Sequence, residues 1–121
     1  ALSHPVGALY NAHHGLTNAV FMPYVLAFNR QAIDERMVRL ARFLDLPGDG
    51  VDAVMDWVLA LRQEIGIPHS LVDLGVAESG VAELVALAEI DQARAGNPRN
   101  LSTEDLTRLF IDAIQGEVTA R

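Results

Sequence analysis

Leu16-Thr-Asn-Ala-Val-Phe-Met-Pro23-Tyr-Val-Leu-Ala-Phe-Asn29 is the stretch on which the fold turns. Its apolar residues fall on every side of a helical projection instead of forming one stripe, the pattern of a helix enclosed by other helices. Pro23 in its middle predicts a kink or a break. Directly before it runs Ala1-Leu-Ser-His4-Pro5-Val-Gly7-Ala8-Leu-Tyr10-Asn11-Ala-His13-His14-Gly15. Residues 1 to 11 read as the tail of a helix that starts upstream, and Asn11 to Gly15 as a turn.

Outward from this segment, helical periodicity continues and no stretch shows sustained apolar/polar alternation. Ala32 to Leu44 predicts an amphipathic helix, with Ile33, Met37, Leu40, Ala41 and Leu44 on one face. Pro47-Gly48-Asp49-Gly50 is the strongest turn signal. Asp52 to Ile65 predicts a second amphipathic helix, with Val54, Trp57, Val58, Leu61 and Ile65 facing inward, ended by Gly66-Ile67-Pro68. Leu71 to Gly75 reads as a connector that turns Leu71, Val72 and Leu74 toward the core. A helix from Glu78 or Ser79 carries Val81, Leu84, Val85, Leu87 and Ala88 toward Arg94. After the loop Gly96-Asn97-Pro98-Arg99-Asn100, Ser102-Thr103-Glu104-Asp105 marks another helix start. Leu106, Leu109, Phe110, Ala113 and Ile114 are its inward face. Six helical stretches joined by short connections predict one all-α bundle over residues 1–121.

The 121 residues suffice for one domain with a real core. The net charge of −7 disfavours nucleic acid, whose binding needs a basic patch. No apolar run reaches the roughly eighteen residues that span a bilayer, so a membrane partner is not expected. The absence of cysteine removes thiolates from any metal site and is compatible with the cytoplasm, the expected compartment. All nine basic residues are arginine, which leaves no lysine for Schiff-base chemistry.

Three of the four histidines lie in the first fifteen residues. Imidazole is the commonest metal-binding side chain and the usual proton carrier near neutral pH. His4 and His14 are ten apart, and a turn between two helices would bring them to one side. Two imidazoles alone make a weak, open metal site, and no Asp or Glu lies in the first thirty residues to complete it. His69, alone after a Gly-Ile-Pro turn, reads as a hydrogen-bonded structural residue.

The string His4-Pro5-x-Gly7-Ala8-x-Tyr10-Asn11-x-x-His14-Gly15-x-x-Asn18-Ala19, followed by Pro23-x-Val25-x-x-Phe28-Asn29, resembles the C-terminal domain of the iron-containing (group III) alcohol dehydrogenases. Gly66-Ile67-Pro68 with Leu71 and Leu74-Gly75-Val76, and Asn97-Pro98-Arg99 before the Ser102 helix start, agree in order. The resemblance runs along the whole chain. It implies the helical bundle of the dehydroquinate synthase-like fold class, as the metal-binding half of a two-domain enzyme whose other half binds NAD(P). It further implies divalent iron, with zinc the alternative, held by one Asp and three His. His14 would be the last of these ligands, and His4 the active-site histidine near nicotinamide and substrate.

By the same resemblance, the other ligands lie upstream of Ala1, one of them a histidine immediately before it. The implied activity is hydride transfer between a small alcohol or aldehyde and NAD(P), with Phe21 or Phe28 lining the pocket. Homo-oligomers are the implied assembly. The chain by itself is expected to fold without turning over substrate, and to bind neither cofactor tightly. The rival reading is an isolated, non-catalytic helical module with a structural or self-association role. His13 departs from the family pattern and is expected to be exposed. Asp91-Gln92 replaces a frequent Asp-Pro, a change expected to touch a loop and not the chemistry.

Overall fold

A computed structural model describes residues 1–118 as five α-helices and three short 3-10 turns, with no strand among them. Helix α1 spans Ser3–Tyr10, α2 His14–Phe43, α3 Gly50–Ile65, α4 Val81–Glu89 and α5 Thr103–Gln115. The 3-10 turns are Leu71–Leu74, Glu78–Gly80 and Gln92–Gly96. The all-α bundle expected from periodicity is present. Among the described residues no helix is long and apolar enough to cross a membrane.

The stretches expected as two helices, 16–29 and 32–44, are one helix of 30 residues. Pro23 does not end it. A proline inside a helix leaves the carbonyl four residues back without its donor, but here the ring is fully buried and the segment Asn29-Arg30-Gln31 holds no further breaker. The middle of α2 is also held from outside. Asn29, 4% exposed, exchanges two 2.8 Å side-chain hydrogen bonds with Asn97. Arg99 donates to the Phe28 carbonyl at 2.5 Å and stacks its guanidinium 4.1 Å from the Phe28 ring centre. The Asn-Pro-Arg loop is thus a clamp on α2.

Two apolar clusters share this helix. Val20, Phe21, Tyr24 and Phe28 of α2 join residues of α1, α4 and α5, together with Leu71 and Val76, in the larger one. Ala41, near the far end of α2, packs with Ala53, Val54 and Val58 of α3 in the smaller one. The all-round apolar half of α2 is therefore enclosed, and its amphipathic half meets α3 alone. Helix α1 also lies against the Glu78–Gly80 turn. A Cβ on Gly80 would come within 2.1 Å of the Tyr10 hydroxyl, so glycine permits this approach.

Helix α5 follows the expected pattern fully. Ser102 accepts from the Asp105 amide and Asp105 accepts from the Ser102 amide, a reciprocal cap worth about 1 kcal/mol. Its five expected inward residues are all buried. Helix α4 stops at Glu89, short of Arg94, and the Gln92–Gly96 turn takes over. Val72, expected to turn inward, is exposed, whereas Leu71 is fully buried.

The face of α3 differs from expectation in part: Val54 and Val58 are buried as expected. Trp57, Leu61 and Ile65 are exposed at 42, 38 and 63%, and Arg62 is buried at 6%. The inward set is Val51, Val54, Met55, Val58 and Arg62, which is also a helical stripe. Arg62 Nη2 donates to the carbonyls of Val20, Pro68 and His69 at 3.0–3.1 Å. Its stem lies on the apolar face, and its head ties α2 to the segment that leaves α3. Burial pulls the Arg62 pKa down, and the neighbouring Tyr24 hydroxyl partly opposes this. Burial also pushes the Tyr24 pKa up.

Arg62→Ala should remove three hydrogen bonds, leave the Pro68 carbonyl without its Arg62 donor and lower stability by about 3 kcal/mol or more. Ile65→Ala, at a mostly exposed position, should cost less than about 1 kcal/mol. Urea denaturation of both variants measures the contrast, and the reverse ranking would mean that the α3 register is wrong.

Candidate functional site

Asn11 ends α1 in the left-handed conformation, φ 53°. Asparagine tolerates this backbone because its short polar side chain can bond locally. Three residues later α2 begins at His14. His13 fills the N-cap position, its Nδ1 accepting from the Leu16 amide at 3.3 Å. His13 is exposed, as expected, and its role here is structural.

The turn brings His4 of α1 onto His14. Their rings stack with centroids 5.2 Å apart and planes 14° from parallel. The expectation that both imidazoles come to one side is met. His14 Nε2 lies 3.2 Å from the Asn18 side-chain nitrogen one turn on. An amide nitrogen only donates, so Nε2 is the accepting atom and its lone pair faces the Asn18 amide. His4 Nδ1 lies 2.6 Å from Asp91 Oδ2. Asp91 Oδ1 in turn accepts from the Ala93 amide at 2.8 Å, capping the Gln92–Gly96 turn. That amide, and next the bond from His4, hold the Asp91 carboxyl below the ordinary carboxylate range.

Asp91 is the residue that the sequence reading missed. The change noted in the sequence at this point is Gln92 for a frequent proline, whereas it is Asp91 itself that bonds directly to His4 across 87 positions. Its signal in the sequence was slight: an acidic residue just after a helix, in the position of a turn cap.

Beside the histidines lies a cavity of about 420 Å³. Ser3, adjacent to His4, and Asn18, bonded to His14, form part of its wall, with Phe21, Met22, Asn29 and Asn97. Of the two phenylalanines expected at a pocket, Phe21 lines it; Phe28 lies beneath Arg99. Among the described residues no three His, Cys, Asp or Glu side chains converge to hold a metal ion. The donor chemistry still suits a divalent cation as a partial ligand set. His14 carries its lone pair on Nε2, where the Asn18 amide now bonds to it, on an imidazole steadied by stacking. His69 takes no part: its Nε2 donates to the Gly116 carbonyl at 2.8 Å, and its own carbonyl accepts from Tyr24.

A family model described as "Fe-containing alcohol dehydrogenase family, C-terminal" matches residues 1–114. The chain is 33% identical over 118 residues to lactaldehyde reductase of Escherichia coli (strain K12), covering 93% of this chain and 31% of that protein. It is 37% identical over 119 residues to 4-hydroxybutyrate dehydrogenase of Cupriavidus necator, covering 91% and 31% respectively. Among solved structures, a 1,3-propanediol oxidoreductase superposes with TM-score 0.86 at 28% identity, covering 93% of this chain and 31% of that one. An iron-containing alcohol dehydrogenase from Corynebacterium glutamicum superposes with TM-score 0.76 at 34% identity, covering 96% and 31%. The chain thus spans about a third of the length of these relatives.

The geometry of the histidine pair depends on the turn at Asn11. Asn11→Gly should be tolerated, since glycine adopts this backbone freely. Asn11→Val should cost about 1–2 kcal/mol and separate the two rings. Denaturation curves, with nuclear Overhauser contacts between the His4 and His14 rings, check both; equal stability of the two variants would count against a strained turn.

Proposed function

The chain belongs to the iron-containing alcohol dehydrogenase family, in the part that forms the C-terminal domain, and on that premise we propose that it is the metal-side half of an NAD(P)-dependent alcohol dehydrogenase. In this reading residues 1–121 form one helical domain of a two-domain enzyme, with a nucleotide-binding domain as its partner. The substrate is a small alcohol or its aldehyde. The observation that carries the reading is the stacked pair of His4 and His14, whose neighbours Ser3 and Asn18 line a cavity.

His14 would hold the metal through Nε2, in place of the Asn18 amide. Further ligands come from outside the described residues. When bound, divalent iron supplies Lewis-acid polarisation of the substrate oxygen, and the nicotinamide supplies the hydride acceptor. The chain's own residues orient and protect. The apolar wall around Phe21 excludes water from one side of the substrate, and the Asn18 and Asn29 amides give it polar contacts. His4, stacked on His14 but bonded elsewhere through Nδ1, keeps Nε2 for the hydroxyl proton. The partition between the two histidines follows from their partners: Asn18 is a replaceable single bond, whereas Asp91 commits His4 to a different neighbour.

In the full-length enzyme His14→Ala should abolish metal retention and activity together. The loss of affinity should exceed the roughly 10–100-fold that follows loss of an outer-shell partner. His4→Ala should lower kcat on the order of 10²–10⁴-fold with most of the metal retained. Metal content by elemental analysis beside steady-state kinetics separates the two roles; equal metal loss in both variants would refute the division.

A further inference from the structure

We infer that Asp91 is the positioning residue for His4, fixing its imidazole in the tautomer that carries the proton on Nδ1 and the lone pair on Nε2. This rests on the functional reading of His4 above, and deepens it.

Three observations converge. First, the 2.6 Å contact joins His4 Nδ1 to a carboxylate oxygen. An ionised carboxylate only accepts, so Nδ1 must be the donor. Asp91 is kept ionised by the Ala93 amide on its other oxygen. Second, both ends of the bond are held. Asp91 is anchored by capping the 92–96 turn, and its side chain is 12% exposed. The His4 side chain is 58% exposed, its Nδ1 edge fixed by Asp91 and one face covered by His14. A ring pinned on one edge and one face has little freedom to flip. Third, α1, the 92–96 turn and the cavity meet at this point, since Ser3 and Ala93 both line the cavity. Nε2 is thus the ring nitrogen that Asp91 leaves unengaged, next to residues of the cavity wall.

The consequence is chemical. A neutral imidazole protonated on Nε2 cannot accept a proton or a hydrogen bond there, so a wrong tautomer silences His4 without moving it. Carboxylate–imidazole pairs in hydrolytic triads work by the same logic. A cap alone would need only Oδ1. The use of the second oxygen on a residue 87 positions away is what a mere turn residue would not show.

Asp91→Asn separates the two roles. Its amide oxygen can still accept from Ala93, which preserves the turn. Its amide N–H then faces His4 Nδ1 and drives the ring proton to Nε2. In the ¹⁵N-histidine-labelled chain, the His4 ring nitrogens should read as protonated Nδ1 and unprotonated Nε2 in the wild type. The pattern should be reversed in Asp91→Asn, with helical circular dichroism unchanged. Asp91→Glu, which keeps an accepting carboxylate, should restore at least part of the wild-type pattern. In the full-length enzyme Asp91→Asn should lower kcat on the order of 10²–10⁴-fold with metal content unchanged. A wild-type His4 protonated on Nε2, or an Asp91→Asn chain with unchanged tautomer, would overturn the inference. That result beside a crippled His4→Ala enzyme would sink the role of Asp91 alone. A His4→Ala enzyme with full kcat would sink the reading of His4 itself.

Discussion

Helix α2 imposes the constraint from which the remaining arrangement follows. Its first half presents apolar side chains in every direction, and in water such a surface is stable only when covered on all sides. Helices α1, α4 and α5 and the Leu71–Val76 segment join that half in one cluster, with Val20, Phe21, Tyr24 and Phe28 at its centre. The second half has a single apolar stripe, and a single helix, α3, answers it. Coverage on all sides also explains why Pro23 survives inside the helix. Neighbouring elements hold the two turns around it together even though one backbone bond is missing.

Burying so much helix brings Asn29 and Arg62 into the interior, and these two, with the exposed His69, decide how the elements lock. Asn29 is matched by Asn97, which brings the Asn-Pro-Arg loop onto α2. Arg62 places its guanidinium among carbonyls of α2 and of the segment following α3. His69 ties that same segment to the end of α5. Apolar packing sets which elements meet, and these directional bonds set the angle and register at which they do so.

The site grows out of the same scaffold. Two helices joined by three residues keep the end of α1 at Tyr10 beside His14, while His4 sits at the far end of α1. Their stacking needs the further condition that α1 lies down on α2, which its buried residues Pro5 and Val6 ensure. Asp91 arrives from the opposite direction, at the end of α4, because α4 packs on both α1 and α5. A rigid ring pair between three elements suits chemistry that needs fixed geometry.

Local sequence determined the helical class, the α5 cap formed by Ser102 and Asp105, and the left-handed turn at Asn11. Each depends on residues within a few positions of one another, where propensity and hydrogen-bond geometry act directly. Periodicity could not choose between the two stripes on α3, since Trp57-Leu61-Ile65 and Val51-Val54-Val58-Arg62 are both helical. It also ranks a buried arginine below an exposed tryptophan, because it registers side-chain polarity and not the carbonyls available to satisfy it. Only packing resolved that choice, by placing three carbonyls where Arg62 could reach them. The bond from Asp91 to His4 was hidden for the same reason. A contact across 87 positions exists only once α1, α4 and α2 have assembled, and no local pattern in the chain encodes it.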